Sequence, residues 1–194
     1  MAESTDWTCT CGATSFTVRD VPASGAHIVC YCEDCRAFAR LRGAEDALDE
    51  AGGTQLFQTA PEVVTLLRGA EHLRCLRLTP RGPLRWYADC CGAPVANTAP
   101  RRGIPFLSMM GAGFAGDRLG RPVARIFRQS ATGRVPRPYG SLVAMVAGVG
   151  RRVLTSRLSG GWKSTPFFAE DGAPLSPPTE PAPEARRAAY SRLP

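Results

Sequence analysis

Three cysteines fall within six residues, at Cys30-Tyr31-Cys32-Glu33-Asp34-Cys35. Residues two apart on an extended chain point to the same side. Cys30 and Cys32 can therefore face one ion, and a tight turn over Glu33-Asp34 brings Cys35 round to the same point. Zinc accepts such a thiolate set readily. An all-cysteine set with no redox-partner signal makes zinc the default over iron. Three sulfurs with no evident fourth ligand are the pattern of a catalytic zinc, its last position open to water or substrate. A fourth ligand from elsewhere in the chain would instead close the site. Coordination favours a thiol's nucleophilic thiolate form, so the chemistry that fits is attack of sulfur on an aldehyde carbon, and its reverse. A proton must accompany that step. Glu33, Asp34 and Tyr31 are near enough in sequence to carry it, although each is also an ordinary loop or strand residue.

A second set consists of Cys9-Thr10-Cys11-Gly12 and Cys90-Cys91-Gly92. Glycine after cysteine permits the tight backbone turn of a zinc knuckle. Two knuckles far apart in sequence can clamp one structural zinc and tie the chain start to mid-domain, which stabilises the fold directly. The second knuckle is irregular. The regular spacing Cys-x-x-Cys-Gly puts Ala88 where its first cysteine belongs. Neighbours on an extended chain face opposite sides, so Cys90 and Cys91 need a kink to share one metal. Cys90 can equally face the first cluster or stay a free thiol, and Cys75 is a further candidate for the missing donor. Otherwise Cys75, within the alternating stretch Leu73 to Leu78, reads as a small core residue. As adjacent residues, Cys90 and Cys91 are poorly placed for an unstrained disulfide, which weakens a thiol-redox reading.

Among other polar residues, His27 lies three before Cys30 and reads as structural. His72 reads as a surface residue in a hairpin. Arg36 reads as a solvated arginine, with steadying of the thiolates as the alternative.

The elements that position these residues are mostly strands. Ser15 to Val18, Ala26 to Cys32, Thr54 to Thr59, Glu62 to Arg68, His72 to Thr79, Leu84 to Tyr87 and Phe106 to Met110 have strand-like composition or alternation. Gly69-Ala70-Glu71 is expected to be a hairpin turn, and Arg81-Gly82-Pro83 another. Arg36 to Ala51 is expected to be a short helix ended by Gly52-Gly53. Leu142, Met145, Val146, Val149, Val153 and Leu154 recur at helical spacing, which predicts an amphipathic helix packed on the β core. The expected fold is mostly β, with a C-terminal helical extension. The division is a zinc-binding β domain at 1–137, an extension at 138–170 that carries the helix, and a loosely ordered Pro/Ala-rich tail at 171–194. The aromatic and basic stretch Trp162 to Phe168 either lines a pocket or anchors the C-terminal segment.

Composition narrows the class. The 194 residues are 44% hydrophobic, enough for a core. The first 20 residues lack an apolar stretch, and the longest apolar run, Leu142 to Gly150, is too short to span a bilayer. The expectation is a cytoplasmic protein without a membrane span, in which eight cysteines signal metal rather than disulfides. The net charge of +7 comes almost wholly from arginine, since Lys163 is the sole lysine. Its arginines are dispersed, which argues against nucleic acid as a partner.

The ordered recurrence of Cys9-Thr10-Cys11-Gly12, Cys30-Tyr31-Cys32-Glu33-Asp34-Cys35 and Cys91-Gly92, with the lead-in Arg85-Trp86-Tyr87-Ala88-Asp89-Cys90, resembles the family of glutathione-dependent formaldehyde-activating enzyme and centromere protein V. The resemblance covers about residues 5–115. It implies a zinc-binding β-tent domain, a structural zinc at Cys9, Cys11 and Cys91, and a catalytic zinc at Cys30, Cys32 and Cys35. It also implies carbon–sulfur lyase chemistry on a thiol such as glutathione and its aldehyde adduct. The centromere protein branch implies the alternative, a non-catalytic zinc module that binds nucleic acid or protein. Ala88 departs from the family pattern, and the C-terminal residues look unlike the simple family domain.

Overall fold

The short strands of the first two-thirds of the chain are mostly buried, and many are followed by a turn that holds a glycine or proline, as at Pro61, Gly69, Gly92 and Gly111. The computed structural model describes residues 4–191. Its strands are β1 (Thr5–Thr8), β2 (Ser15–Val18), β3 (Gly25–Cys30), β4 (Thr54–Thr59), β5 (Val64–Arg68), β6 (Leu73–Leu76), β7 (Leu84–Ala88), β8 (Pro94–Thr98), β9 (Leu107–Met110) and β10 (Ala124–Ile126). Its α-helices are α1 (Glu33–Leu41), α2 (Leu142–Ser159) and α3 (Pro183–Tyr190). The protein is mostly β.

The strands form two sheets. The smaller has the order β1-β2-β5, and the larger β10-β3-β4-β9-β8-β7-β6. All pairings are antiparallel except β10 on β3. The main core includes Trp7, Phe16, Phe57, Leu84, Trp86 and Met109, all buried. Trp7 donates its indole N–H to the Met110 carbonyl at 2.8 Å, fixing the small sheet to the large one. Gly113 is required there, because a Cβ would run into the Trp7 indole.

Three expectations need correction. Gly69 does make a turn, with φ 81°, but β5 and β6 do not form a hairpin. β5 pairs with β2 and β6 with β7, so the chain changes sheets at Gly69. The helix expected over Arg36 to Ala51 starts at Glu33 and stops at Leu41. Cys32 caps its N-terminus, and Gly43, at φ 63°, ends it. A separate 3₁₀ turn then covers Glu45–Ala47. Lastly, α2 packs on the β core by only part of the apolar set expected to do so, namely Met145, Val149 and Val153. Met145 and Ser156 are its buried residues, while Leu142, Val146 and Leu154 are exposed.

The C-terminal residues are built into the fold. Phe167 is fully buried, stacked on Phe16 with ring centroids 5.7 Å apart and tilted on Trp86 at 5.1 Å. The stretch Trp162 to Phe168 is thus an anchor. Beyond it, the segment expected to be a loose tail adds a bridge between Thr179 and Leu76 and then α3. Arg40 of α1 donates to the carbonyls of Ala189 at 3.0 Å and Ser191 at 2.9 Å. Phe167→Ala is expected to lower stability by about 3–5 kcal/mol, read as a fall in the midpoint of denaturant unfolding at unchanged slope.

Candidate metal centres

The first centre forms where the N-terminal knuckle meets the β7–β8 turn. Cys9 and Thr14 close the knuckle: the Cys9 N–H donates to the Thr14 carbonyl at 3.0 Å, and the Thr14 N–H donates to the Cys9 sulfur at 3.2 Å. Gly12 takes φ 79° to make the turn. Across from it, β7 ends at Ala88, whose carbonyl accepts from the N–H groups of Cys91 and Gly92 at 3.3 and 2.8 Å. That tight turn, with Gly92 at φ 78°, is the kink that lets adjacent cysteines share a side. Cys11 and Cys90 are 3.4 Å apart sulfur to sulfur, Cys9 and Cys11 3.6 Å, Cys9 and Cys90 3.8 Å, and Cys90 and Cys91 3.9 Å. All four sulfurs lie within 4.8 Å of one another.

These spacings test the fit of a metal. Four sulfurs about 2.3 Å from a tetrahedral zinc stand about 3.8 Å apart. The cluster matches that edge, and the set is closed. Cys90 supplies the donor that the spacing loses at Ala88. Cys75 does not join it; it is buried in the main core, and its thiol is pushed up to about 12 chiefly by burial. The Cys91 thiol is lowered to about 6: burial raises it, but hydrogen bonds at Thr10 and at the backbone of Ala93 and Cys11 outweigh that. The site thus already favours a thiolate, the form a metal needs.

The second centre sits where β3 runs into α1. Cys30 ends the strand, Cys32 is the helix cap, and Cys35 lies in the first helical turn. The turn over Glu33-Asp34 is therefore the start of α1 itself. Cys30 and Cys32 sulfurs are 3.4 Å apart, and the three sulfurs lie within 4.8 Å of one another. The Cys35 N–H donates to the Cys32 sulfur at 3.4 Å. A helix N-terminus favours negative charge, and hydrogen bonds from Cys30 and Cys35 bring the Cys32 thiol down to about 2. The Cys30 thiol is pushed up, first by its bonds to Cys32 and Cys35 and then by burial. Three crowded thiols thus shift one another's protons, and a bound cation would let them ionise together. Among the described residues no fourth His, Cys, Asp or Glu joins this group. Next to it is a small cavity of about 30 Å³, whose walls include Cys35, Phe38, Thr54, Gln55 and Met110.

Neighbouring side chains divide into those that serve the cluster and those that do not. Tyr31 is buried, donates to Asp49 Oδ2 at 2.9 Å and accepts from Arg125 at 3.2 Å. It belongs to a separate apolar group with Val29 and Ala51. Arg36 is buried rather than solvated, because its guanidinium donates to the Tyr31 carbonyl at 2.7 Å. His27 is structural, with Nδ1 2.7 Å from the Gly120 carbonyl. His72 is half-buried beside Glu71 at 3.5 Å. Asp34 is held from two sides, accepting from Tyr190 Oη at 2.6 Å and pairing with Arg85 Nη2 at 3.4 Å.

Sequence reasoning missed Arg85 and Tyr190. Arg85 is 3% exposed, and its positive charge adds to the lowering of the Cys32 thiol and offsets part of the rise at Cys35. Position 85 is 50 residues beyond Cys35 in the chain; only the order of the large sheet brings it near. Tyr190 arrives on α3. An arginine inside an alternating apolar strand was the one available signal. Tyr190→Phe is expected to cost about 1 kcal/mol and to make α3 more sensitive to limited proteolysis.

The chain matches the family of unknown function DUF6151 over residues 1–138. It belongs to that family. Both cysteine clusters lie within the DUF6151 match, while α2 and α3 lie beyond it. No curated protein matches the chain. Among solved structures it is similar to a crystal structure of a Rhodobacter sphaeroides protein, at 23% identity over 60% of this chain and 96% of that one, with a TM-score of 0.42.

Proposed function

We propose that this DUF6151 protein is a zinc-dependent carbon–sulfur lyase-like enzyme acting on thiol–aldehyde adducts, built on a β-tent domain. The observation that carries the reading is the contrast between its clusters: four sulfurs in one, three in the other beside a cavity. Cys9, Cys11, Cys90 and Cys91 hold a structural zinc. Cys30, Cys32 and Cys35 hold a reactive one. Zinc in the three-cysteine set supplies stabilisation of an incoming thiol as thiolate. In the synthetic direction a carbon–sulfur bond forms to the aldehyde carbon, and the thiol proton ends on the former carbonyl oxygen. In the lyase direction that hydroxyl proton returns to sulfur as the bond breaks.

The chain's own residues supply the rest. Asp34, next to Cys35 in the chain and bonded to Tyr190 and Arg85, would hold the moving proton. The cavity beside Cys35 has room for little more than a water-sized group, which suits a one-carbon aldehyde. An open cleft of about 580 Å³ beside Asp34 carries Arg186 and Arg187, which suit the carboxylates of a peptide thiol such as glutathione.

The test is NMR exchange between formaldehyde with glutathione and their S-hydroxymethyl adduct, with and without zinc-loaded protein. Accelerated exchange supports the reading. Fully zinc-loaded protein that leaves the exchange rate unchanged overturns it and favours the alternative, a non-catalytic zinc module.

A further inference from the structure

The charge of this chain is segregated. Between residues 121 and 163 lie nine of its 24 Arg and Lys residues and none of its 17 Asp and Glu; the remaining 15 cations and 17 anions nearly cancel. The partners that the structure gives these cations are aromatic rings, two tyrosine hydroxyls and the Gly103 carbonyl. Arg128 lies 4.0 Å over the Tyr139 ring, Arg157 donates to the Gly103 carbonyl at 2.8 Å, and Arg157 also faces the Trp162 ring at 5.0 Å.

The same segment carries most of the exposed aliphatic surface. On α2, Met145, Val149, Val153 and Ser156 turn toward the body, so the opposite side of the helix faces outward. That outward side is apolar. Val143, Val146, Leu154 and Leu158 recur along it at helical spacing, with Val143 and Leu158 each 79% exposed. From Val143 to Leu158 the stripe runs about 22 Å. Arg151 falls beside it, and Arg157 lies within its angular range near the C-terminal end. At the N-terminal end of α2, a cleft of about 390 Å³ is lined by Arg125, Arg128, Tyr139 and Leu142, with Phe127 exposed at its edge.

We propose that α2 and this arginine-rich surface form a docking site for an anionic lipid bilayer. An aliphatic stripe accompanied by arginines lies flat in the headgroup layer, the stripe facing the acyl chains and the arginines the phosphates. The cleft at the helix start, with its two arginines and the positive end of the helix dipole, takes one phosphate headgroup. No helix among the described residues is long and apolar enough to cross a membrane, so the contact is with the surface alone. A nucleic-acid duplex would leave the aliphatic stripe against water. A second copy of the chain would set cation against cation with no acidic residue of this segment between them.

The test is co-flotation of the full chain with vesicles of phosphatidylcholine alone or mixed with phosphatidylglycerol. Binding is expected to the mixed vesicles, at least about tenfold tighter than to the neutral ones. Arg128→Glu with Arg151→Glu should weaken it more than about tenfold. Leu154→Glu with Leu158→Glu should abolish it. These side chains are exposed, and an unchanged far-UV circular dichroism spectrum checks that each variant folds. Equal binding to both vesicles, no binding, or binding that survives the leucine changes would overturn the proposal. So would a dimer in solution that the leucine changes dissociate, or displacement from vesicles by duplex DNA with full affinity for the leucine variant.

Discussion

Cys32→Ser is expected to reduce the exchange of thiol–aldehyde adducts to the uncatalysed rate while the chain stays folded. Serine keeps the helix cap, because its hydroxyl can still accept the Cys35 N–H in place of the sulfur. It removes the thiol that hydrogen bonds from Cys30 and Cys35 hold as the thiolate of the cluster. The remaining pair, Cys30 and Cys35, is buried, and two thiolates are one fewer than the open zinc site needs. One equivalent of zinc should leave with the activity, and thermal stability should fall less than in Cys90→Ala, since Cys30, Cys32 and Cys35 are neighbours in the chain and their metal ties no distant segments together. A variant that keeps full exchange activity would remove this cluster from the chemistry.

Cys90→Ala is expected to act on stability instead. The thiol lies within 3.4 and 3.8 Å of Cys11 and Cys9, and the site it completes joins the chain start to the β7–β8 turn. Structural zinc sites contribute folding free energy outright. Losing one ligand of four should cost roughly 3–5 kcal/mol, and a fall in melting temperature of about 10 °C or more. The comparison that isolates the metal is Cys75→Ala, which leaves zinc content unchanged and costs about 1 kcal/mol of packing. A chelator should lower the melting temperature of wild type toward that of Cys90→Ala and leave Cys90→Ala little affected. Equal stability of wild type and Cys90→Ala would mean that Cys90 is outside the site.

Much of this arrangement was legible in the residues, for identifiable reasons. Cys30, Cys32 and Cys35 are local, so spacing alone brings them together. Most strands announce themselves by alternation. What spacing could not decide was Cys90 against Cys75 as partner of Cys9, Cys11 and Cys91. That depends on the turn at Ala88, whose carbonyl accepts two N–H groups and folds adjacent cysteines to one side. The switch of sheets at Gly69 was hidden because the same turn residues serve a hairpin. Arg85 and Tyr190 were missed because their nearness to Asp34 is set by strand order and by the docking of α3, neither of which leaves a periodic mark. The outward apolar stripe of α2 was misjudged for a related cause. Periodicity reports that a helix has an apolar face, not which way that face turns.

Two metal centres of different kind, one closed and one open, are proposed for this one chain. Metal content per chain decides this, by elemental analysis of the 194-residue chain purified anaerobically without chelator. Two zinc ions are expected per wild-type chain, one in Cys32→Ser and one in Cys90→Ala. Wild-type protein that is folded and carries no metal would contradict the proposal.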